Sequence, residues 1–481
     1  MKDICLIDIR QIVGAILLFV SEMEKIITKS KDFYEIEKGI HELSQEICNR
    51  MLSWALEEID KRLMEERERG RWEVVGFRAK RVISSFGEFM YKRRLYRDKE
   101  TGESKFLLDE VLGWPEGARI TPRLRELLLK LGSEVSFAKA AEIANYIAPG
   151  VSGMTVWHVL REVGEALQQE ADEKRTAIFE KGEEPGGKEV TPELYIEADG
   201  VMIRLQRSEE KRGEIKHIVA YEGKEERSRG RISLKNKVVI SSLKEGEAAW
   251  EESYAVIGEK WNLSRAEKVY IGGDGAEWPK QGKEYFPGAE YRLDPYHLRK
   301  QLTEALWHDE ESYKRVGIAI ETGNWEETEV ILLEAMKRSR GKQKERIGKL
   351  LSYLKKNWEG IVKTAETRSL GTIEGQIQHN IARRMKRLGA RWTVTGGDRM
   401  ARVLAAKANG RLKGLVWRWA VEREKIKEVV KGRVVEKFKE EDIEKWLRAN
   451  VPALKGPYAG QPWIKYVLRE LTRNSSAFLV G

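Results

Sequence analysis

The sequence contains little cysteine and no long apolar run. Its two cysteines, Cys5 and Cys48, form no CxxC pair, so a zinc ribbon is excluded and a disulfide framework is not expected. A reducing cytoplasm fits this composition. The longest apolar run near the N-terminus, residues 12–20, is too short to span a bilayer. Acids at Asp3 and Asp8 argue against a signal peptide. We therefore expect a cytoplasmic protein with no membrane role.

Positive charge is concentrated in one segment. The chain has 481 residues, enough for several domains, and a formal net charge of +10. Residues 379–418 contain eleven Lys or Arg and a single acid, Asp398, which accounts for the whole excess. Such a local excess is what a phosphate-binding surface requires. A solvated basic helix face is the alternative explanation.

A pair of helices in the first half of the chain has a pattern found in DNA-binding proteins. Residues 136–147 form a predicted helix rich in small residues, and a Gly-containing link leads to a second helix that begins near Ser152. This pattern resembles a helix-turn-helix, in which Thr155, Trp157 and His158 would contact a DNA groove. Two packed helices without a DNA role fit the same pattern.

The middle of the chain changes to strands. The predicted strands are 194–206, 214–223, 232–243, 268–275 and 289–297, with a helix at 247–261. Three strands, helix, strand, helix, strand is the order of a ribonuclease-H-like domain, a mixed sheet flanked by helices. The fold class expected is therefore multidomain α+β with a ribonuclease-H-like α/β domain.

Two aspartates follow apolar strand segments and precede glycines. Asp199 ends the segment 195–199, and Asp274 ends the segment 269–274. Acids beside glycines at strand ends are suited to hard cations, because oxygen ligands favour Mg²⁺ or Mn²⁺. An Asp-Gly pair after a strand is also a common turn, and that explanation stays open for each site.

A third acid lies on a predicted helix over residues 371–392. Projection at 100° per residue places Glu374 inside an apolar stripe. The stripe consists of Ile373, Ile377, Ile381, Met385 and Leu388. A buried carboxylate is costly unless it is paired. A metal shared with the two aspartates, or an ion pair with Arg384, would each satisfy Glu374.

These blocks together resemble a known family. IEADG, IGGDGAEW and GTIEGQIQHNIARRMK, in this order, look like the catalytic blocks of DDE transposases of bacterial insertion sequences. The Lre-type family, which shares its layout with Mutator-like transposases, is the most similar. The resemblance implies that Asp199, Asp274 and Glu374 are catalytic and bind two Mg²⁺ or Mn²⁺ ions. Asp294 and His297, in LDPYH, form a D-x-x-H motif that we interpret as accessory; a helix cap and a packed histidine are the alternatives.

The resemblance also implies the chemistry and the partners. We expect cleavage of transposon ends and strand transfer by two-metal phosphoryl transfer on double-stranded DNA, by a homodimer or higher oligomer associated with the nucleoid. Backbone phosphates would contact the basic side of the last catalytic helix and the residues after it: Asn380, Arg383, Arg384, Lys386, Arg387 and Arg391. A nuclease or resolvase without strand transfer, and a non-catalytic DNA-binding protein descended from a transposase, remain alternatives.

The expected organisation follows from these assignments. In chain order the predicted regions are an N-terminal helical region (1–70), a small β-rich module (71–120), the helix-turn-helix region (121–180), a linker (181–193), the first part of the catalytic domain (194–310), a helical insertion (311–369), the last catalytic helix (370–400) and a basic helical C-terminal region (401–481).

Overall fold

A computed structural model describes residues 9–228, 231–364, 370–387, 389–417 and 460–461. The predictions for residues 1–8, for Leu388 and for most of 418–481 lie outside these ranges. Within them the chain is a multidomain α+β protein with a mixed five-stranded sheet, as expected. No helix of the described residues is both long and apolar enough to cross a membrane.

The N-terminal region is a pair of helices followed by a hairpin. The elements are α1 (Ile9–Lys29), α2 (Phe33–Glu66), β1 (Trp72–Ser84), β2 (Gly87–Asp98), β3 (Ser104–Lys105) and α3 (Leu107–Val111). Asp32 begins α2, where its carboxylate accepts the backbone N–H of Glu35, as an N-cap does. Strands β1 to β3 form an antiparallel sheet of their own.

Three further helices precede the central sheet. They are α4 (Pro122–Glu134), α5 (Phe137–Asn145) and α6 (Gly153–Phe179). Thr121 caps α4, and Pro122 occupies its first turn, where a missing N–H costs the helix no hydrogen bond. The connection between α5 and α6 has seven residues, 146–152, and α6 continues for 27 residues.

The central sheet contains both strand directions. The strands of this region are β4 (Glu193–Arg204), β5 (Arg212–Tyr221), β6 (Gly223–Ser228), β7 (Arg231–Lys235), β8 (Val238–Ser242), β9 (Lys268–Gly273) and β10 (Glu290–Leu293). The order in the sheet is β10-β9-β4-β5-β8, with β4, β5 and β8 antiparallel and β4, β9 and β10 parallel. Residues 232–243, predicted as one strand, form two, because β7 leaves the sheet to pair with β6.

The remaining helices cover the sheet and form the insertion. They are α7 (Gly246–Gly258), α8 (Glu277–Gln281), α9 (Pro295–Leu306), α10 (Glu310–Glu321), α11 (Trp325–Arg338), α12 (Gly341–Thr364), α13 (Ile373–Ile377), α14 (Arg383–Met385), α15 (Val394–Ala408) and α16 (Leu412–Trp417). A π-helical turn, Gln378–Ala382, joins α13 to α14. Helices α9 to α12 bury an apolar core of their own.

The two faces of the sheet carry alternate residues of each strand, as the period of two requires. One face packs against α6, α13 and α15 and includes Val201 and Val219. The other face packs Ile196 and Ala198 against Trp250 of α7. The segment predicted as a linker contacts the end of α7, where the Gly187 N–H donates to the carbonyl of Gly258 at 2.9 Å.

Candidate active site

Three aspartates lie near the carboxyl ends of three adjacent parallel strands. Asp199 is within β4, Asp274 follows β9, and Asp294 follows β10. The residues that precede Asp199 and Asp274 are paired in the register of β4 and β9. Asp294 follows β10, and its backbone N–H donates to the carbonyl of Gly273 at 2.8 Å. Ligands of α/β sheets bind where the carboxyl ends of parallel strands meet. This edge is therefore the candidate site.

Asp199 is not at the end of its strand, contrary to the sequence-based expectation. Strand β4 continues to Arg204, and Asp199 pairs with His217 of β5. The turn explanation is therefore wrong for Asp199. The strand extends beyond the glycine because β5 continues to pair with it after β9 has ended.

Asp274 does occupy a turn, and the insertion supports it. Its carboxylate accepts the backbone N–H of Ala276 at 2.9 Å. The hydroxyl of Tyr353, on α12, donates to the Asp274 carbonyl at 2.8 Å. The next N–H, of Gly275, donates to the Tyr291 hydroxyl at 2.9 Å. These three hydrogen bonds fix the conformation of the turn. A turn at Asp274 is therefore compatible with a role for this residue in the site.

The carboxyl of Asp199 is electrostatically coupled to the other acids. Its side chain is buried, and burial raises its pKa to about 6. The N–H of Gly200 and the imidazole of His297 lower this pKa, whereas the carboxylates of Asp274 and Glu374 raise it. Both of the other predicted acids therefore lie close enough to Asp199 to affect its pKa.

Asp294 and His297 form a pair beside these acids. Asp294 caps α9 by accepting the Tyr296 N–H at 3.0 Å, and its second oxygen lies 2.9 Å from Nδ1 of His297. This hydrogen bond raises the pKa of His297, and the charges of Asp199 and Asp274 act in the same direction. The capping alternative is confirmed, and it coexists with a place in the site.

Glu374 is exposed, so its predicted burial is wrong. The stripe itself is buried in the described part of the helix, at Ile373, Ile377, Ile381 and Met385. The π turn Gln378–Ala382 interrupts the helix after α13. A projection at a constant 100° per residue does not hold across such a turn, and Glu374 lies before it.

The donor set fits a hard divalent cation in its chemistry. Carboxylates are ligands that Mg²⁺ and Mn²⁺ favour, and a cation would offset the mutual repulsion that helps to raise the pKa of Asp199. In the part of the chain that the structure describes, no group of three or more His, Cys, Asp or Glu side chains is gathered as a bound metal requires.

The basic residues after Glu374 divide into exposed and packed ones. The exposed members, which form no ion pair among the described residues, are Arg383, Lys386, Arg387 and Arg391. Asn380 is partly buried and donates to Gln376 at 3.3 Å. These positions leave the four cations available to a polyanion.

Arg384 belongs to the packed group, which corrects its assignment as a phosphate contact. Its guanidinium lies 5.2 Å from the ring centre of Phe137 and 5.0 Å from that of Trp392. Its Nε donates to the carbonyl of Gly132 at 2.9 Å. Burial lowers its pKa to about 10. Arg384 therefore serves the packing of α14 on α4, and it does not pair with Glu374.

The later part of the basic segment is neutralised within the protein. Arg399 pairs with Glu165 at 3.3 Å, and Arg411 pairs with Glu170 at 2.7 Å. Lys407 pairs with Glu134. Much of the positive charge of residues 379–418 is therefore paired with acids of α4 and α6, and it is less available to an external anion than the sequence suggests.

The three residues predicted to enter a DNA groove have different surroundings. Thr155 forms a capping box with Ser152, with hydrogen bonds of 3.1 and 3.3 Å. Trp157 is partly buried, with the Arg161 guanidinium 5.2 Å from its ring centre. His158 is exposed. The Thr155 hydroxyl is therefore engaged in starting α6.

Two buried polar residues next to Asp199 were not predicted from the sequence. Glu197 lies two positions earlier on the same face of β4, and it is 1% exposed. His217 is fully buried, with Nδ1 2.7 Å from the Ser241 hydroxyl, and burial lowers its pKa to about 3. An acid inside an otherwise apolar strand was the available signal for Glu197.

Comparison with known proteins gives one consistent family. The family model described as "Uncharacterised protein family (UPF0236)" matches residues 27–424. A UPF0236 protein of Caldanaerobacter subterraneus subsp. tengcongensis is 30% identical over 392 residues, which is 80% of each chain, and its name carries eleven loci. A "UPF0236 protein in vanSb 3'region" of Streptococcus gallolyticus is 29% identical over 412 residues, covering 82% of this chain and 87% of that one.

Proposed function

This chain belongs to the UPF0236 family, whose description names no activity, and we propose that it is a DNA transposase. It would bind the ends of an insertion sequence, cut them and join them to target DNA. The observation that carries this proposal is geometric: the pairing of β4 with β9 and the hydrogen bond from the Ile373 N–H to Glu197 of β4 bring the chain segments of Asp199, Asp274 and Glu374 together, although these acids are 75 and 100 positions apart in sequence.

The architecture supports the same proposal. Three antiparallel strands followed by two parallel ones, in the order β10-β9-β4-β5-β8, agree with a ribonuclease-H-like sheet. The helices α10 to α12, between the second and third acids, agree with the expected insertion. A relative that bears eleven locus names in one genome is what a mobile element would produce.

In the reaction that we propose, water attacks a phosphodiester at the transposon end. The P–O bond breaks and leaves a free 3′-hydroxyl, which then attacks a second phosphodiester and exchanges one P–O bond for another. Two bound Mg²⁺ or Mn²⁺ ions would supply activation of the attacking oxygen and stabilisation of the leaving oxygen. Asp199, Asp274 and Glu374 are the residues that would hold these ions.

The chain's own residues account for substrate binding in this proposal. Arg383, Lys386, Arg387 and Arg391 would hold backbone phosphates, which fix the position of the DNA without reading its sequence. The helix α6 and the turn before it would read the inverted repeats, with His158 the most accessible of the three predicted contacts. A homodimer or higher oligomer would bring two ends together.

The test uses isosteric substitutions of each acid. Asp199→Asn, Asp274→Asn and Glu374→Gln should each abolish cleavage and strand transfer of a labelled end, while binding of that end persists. The exposed Glu359→Gln, another acid of this region, is a matched control that should cleave normally. Full cleavage by any one of the three variants would remove that residue from the site.

A nuclease or resolvase would use the same acids without strand transfer. Protein, Mg²⁺, a pre-cut transposon end and a target plasmid distinguish the two, because only a transposase yields joined product. Cleavage without joining would favour the nuclease. Binding without either reaction would favour a DNA-binding protein descended from a transposase.

A further inference from the structure

The helix that carries Glu374 begins on a buried carboxylate from another part of the chain. One oxygen of Glu197 accepts the backbone N–H groups of Gly371, Thr372 and Ile373, at 2.9, 2.9 and 3.2 Å. The other oxygen accepts the Tyr221 hydroxyl at 2.6 Å and the Thr372 hydroxyl. Glu197 is therefore fully used as a hydrogen-bond acceptor within the protein.

These bonds replace the cap that the helix does not make for itself. The first N–H groups of a helix have no partner within it, and Thr372, the N-cap residue of α13, makes no capping bond to its own helix. A carboxylate at this position gives charge-assisted bonds and interacts favourably with the helix dipole. The start of α13 is thereby held on β4.

This contact connects two of the proposed catalytic acids. Glu197 and Asp199 are two residues apart on one strand and so share a face of the sheet. Ile373, which donates to Glu197, directly precedes Glu374. The side chain of Glu374 is exposed and gains nothing from packing. The backbone that Glu197 holds, together with the burial of Ile373 and Ile377, therefore places Glu374 relative to Asp199.

We propose that Glu197 is a positioning residue, which sets the distance between Asp199 and Glu374 and so the affinity of the site for divalent cations. The inference rests on the proposed function, in which those two acids share metal ions. Glu197 is not itself a ligand, because its two oxygens already accept hydrogen bonds from five donor groups.

The variant that tests this is Glu197→Gln. The amide keeps the size of the side chain but carries no charge and has only one accepting oxygen, so the bonds to the N–H groups of α13 lose their charge assistance and are weakened. The matched control is Tyr221→Phe, which removes a hydrogen bond from the same carboxylate and leaves the helix start alone. Urea unfolding identifies loss of stability in both variants.

The first measurement is hydrogen exchange of the peptide 371–377 in the full-length protein without metal. Exchange should be faster in Glu197→Gln and unchanged in Tyr221→Phe. If Glu197→Gln does not fold, Thr372→Val, which loses only the hydroxyl bond to Glu197, takes its place and should shift exchange in the same direction by less. Exchange at the wild-type rate would overturn the inference.

The second measurement is Mn²⁺ binding by titration calorimetry, without DNA. Glu197→Gln should weaken Mn²⁺ binding by roughly 10- to 100-fold, as loss of a group that orients ligands does, and Tyr221→Phe by less than twofold. Binding of a transposon end should be the same in all three proteins. Equal Mn²⁺ affinity in Glu197→Gln and wild type would overturn the inference.

The two proposals can fail separately. If the wild-type protein binds Mn²⁺ through Asp199 but neither cuts nor joins DNA, the transposase proposal falls, while weaker Mn²⁺ binding in Glu197→Gln still supports the positioning role. If the wild type cuts and joins DNA and Glu197→Gln binds Mn²⁺ normally, the transposase proposal stands and the positioning role is wrong.

Discussion

Two groups of charged residues, one on helices beside the sheet and one at the carboxyl ends of its parallel strands, differ in how far their charges are paired within the protein. On α15, the Arg402 guanidinium lies between two acids, 3.0 Å from a Glu252 oxygen and 2.8 Å from an Asp398 oxygen. Burial lowers the pKa of Arg402, but these carboxylates more than offset it, so that its pKa lies above the ordinary value. At the sheet edge, by contrast, Asp199 faces two further acids.

The comparison distinguishes charges that are paired within the protein from like charges that a bound counter-ion would neutralise. A buried charge with partners is part of the packing, and its loss leaves the partners uncompensated. Charges of one sign brought together oppose folding and favour a bound counter-ion. On this basis, the α15 group serves stability, whereas the acids at the strand ends and the exposed cations Arg383 and Arg387 are where we propose that a metal and DNA backbone bind.

The largest effect is expected at Arg402. Arg402→Met leaves Glu252 and Asp398 buried without their main counter-charge, so unfolding in urea should show a loss of about 3–5 kcal/mol. Adding Glu252→Gln to Arg402→Met should recover part of it. The exposed Arg387→Met should cost less than about 0.5 kcal/mol. Similar losses at Arg402 and Arg387 would erase the distinction between the two groups.

Substitution of Asp199 should change the free energy of unfolding by less, and in the opposite direction. Its pKa is raised from 3.8 to about 6 in the folded state, so between these values the folded protein holds more protons than the unfolded one. Stability is therefore lost as pH rises through about 6. Asp199→Asn should be more stable than wild type at pH 8, by at most about 3 kcal/mol, and not at pH 3. Urea unfolding at both pH values measures the difference; a gain independent of pH would contradict it.

The exposed cations should act on DNA affinity and not on folding. Arg383→Gln with Arg387→Gln should weaken binding to all sequences and reduce the slope of log K against log salt by about 1.8, roughly 0.9 for each phosphate contact. The control pair, Arg399→Gln with Arg411→Gln, removes two paired cations and should leave the slope unchanged. Fluorescence anisotropy over a range of salt concentrations gives both slopes. Equal slopes for the two double variants would contradict the division of these cations into exposed and ion-paired ones.

The smallest effect on DNA is expected at Arg384, the neighbour of Arg383. Arg384→Met should keep the wild-type salt slope, because its guanidinium is packed between Phe137 and Trp392. It should lower the free energy of unfolding by about 1 kcal/mol through loss of the bond to Gly132. A reduced salt slope in Arg384→Met would return this residue to the phosphate-binding set.

Much of the fold was predictable because its signals are local. The change to strand-like segments after residue 193 predicted β4, β5 and β9, and the helix predicted at 247–261 corresponds to α7. The division of residues 232–243 was not predictable, since β7 and β8 have similar composition and differ only in their pairing partners. Strand pairing is a property of distant segments.

The sequence indicated which acids are candidates for the site but not what surrounds them. The segments that lead to Asp199 and Asp274 were predicted as strands, and the residues before these two acids pair in the register of β4 and β9. The exposure of Glu374 depends on a π turn, which the periodicity of apolar residues did not reveal. The same holds for Glu197, whose partners are more than 170 positions away.

The sequence by itself determined where strands and helices form, which carboxylates follow apolar segments, and where Lys and Arg are concentrated, because each depends on neighbours along the chain. Only the tertiary structure decided which of those charges have partners within the protein. Arg402 and Arg384 became internal because acids and aromatic rings from distant helices surround them. The pKa of Asp199 is raised chiefly because the fold buries its carboxyl, and the acids brought near it from distant segments add to that rise while His297 opposes it.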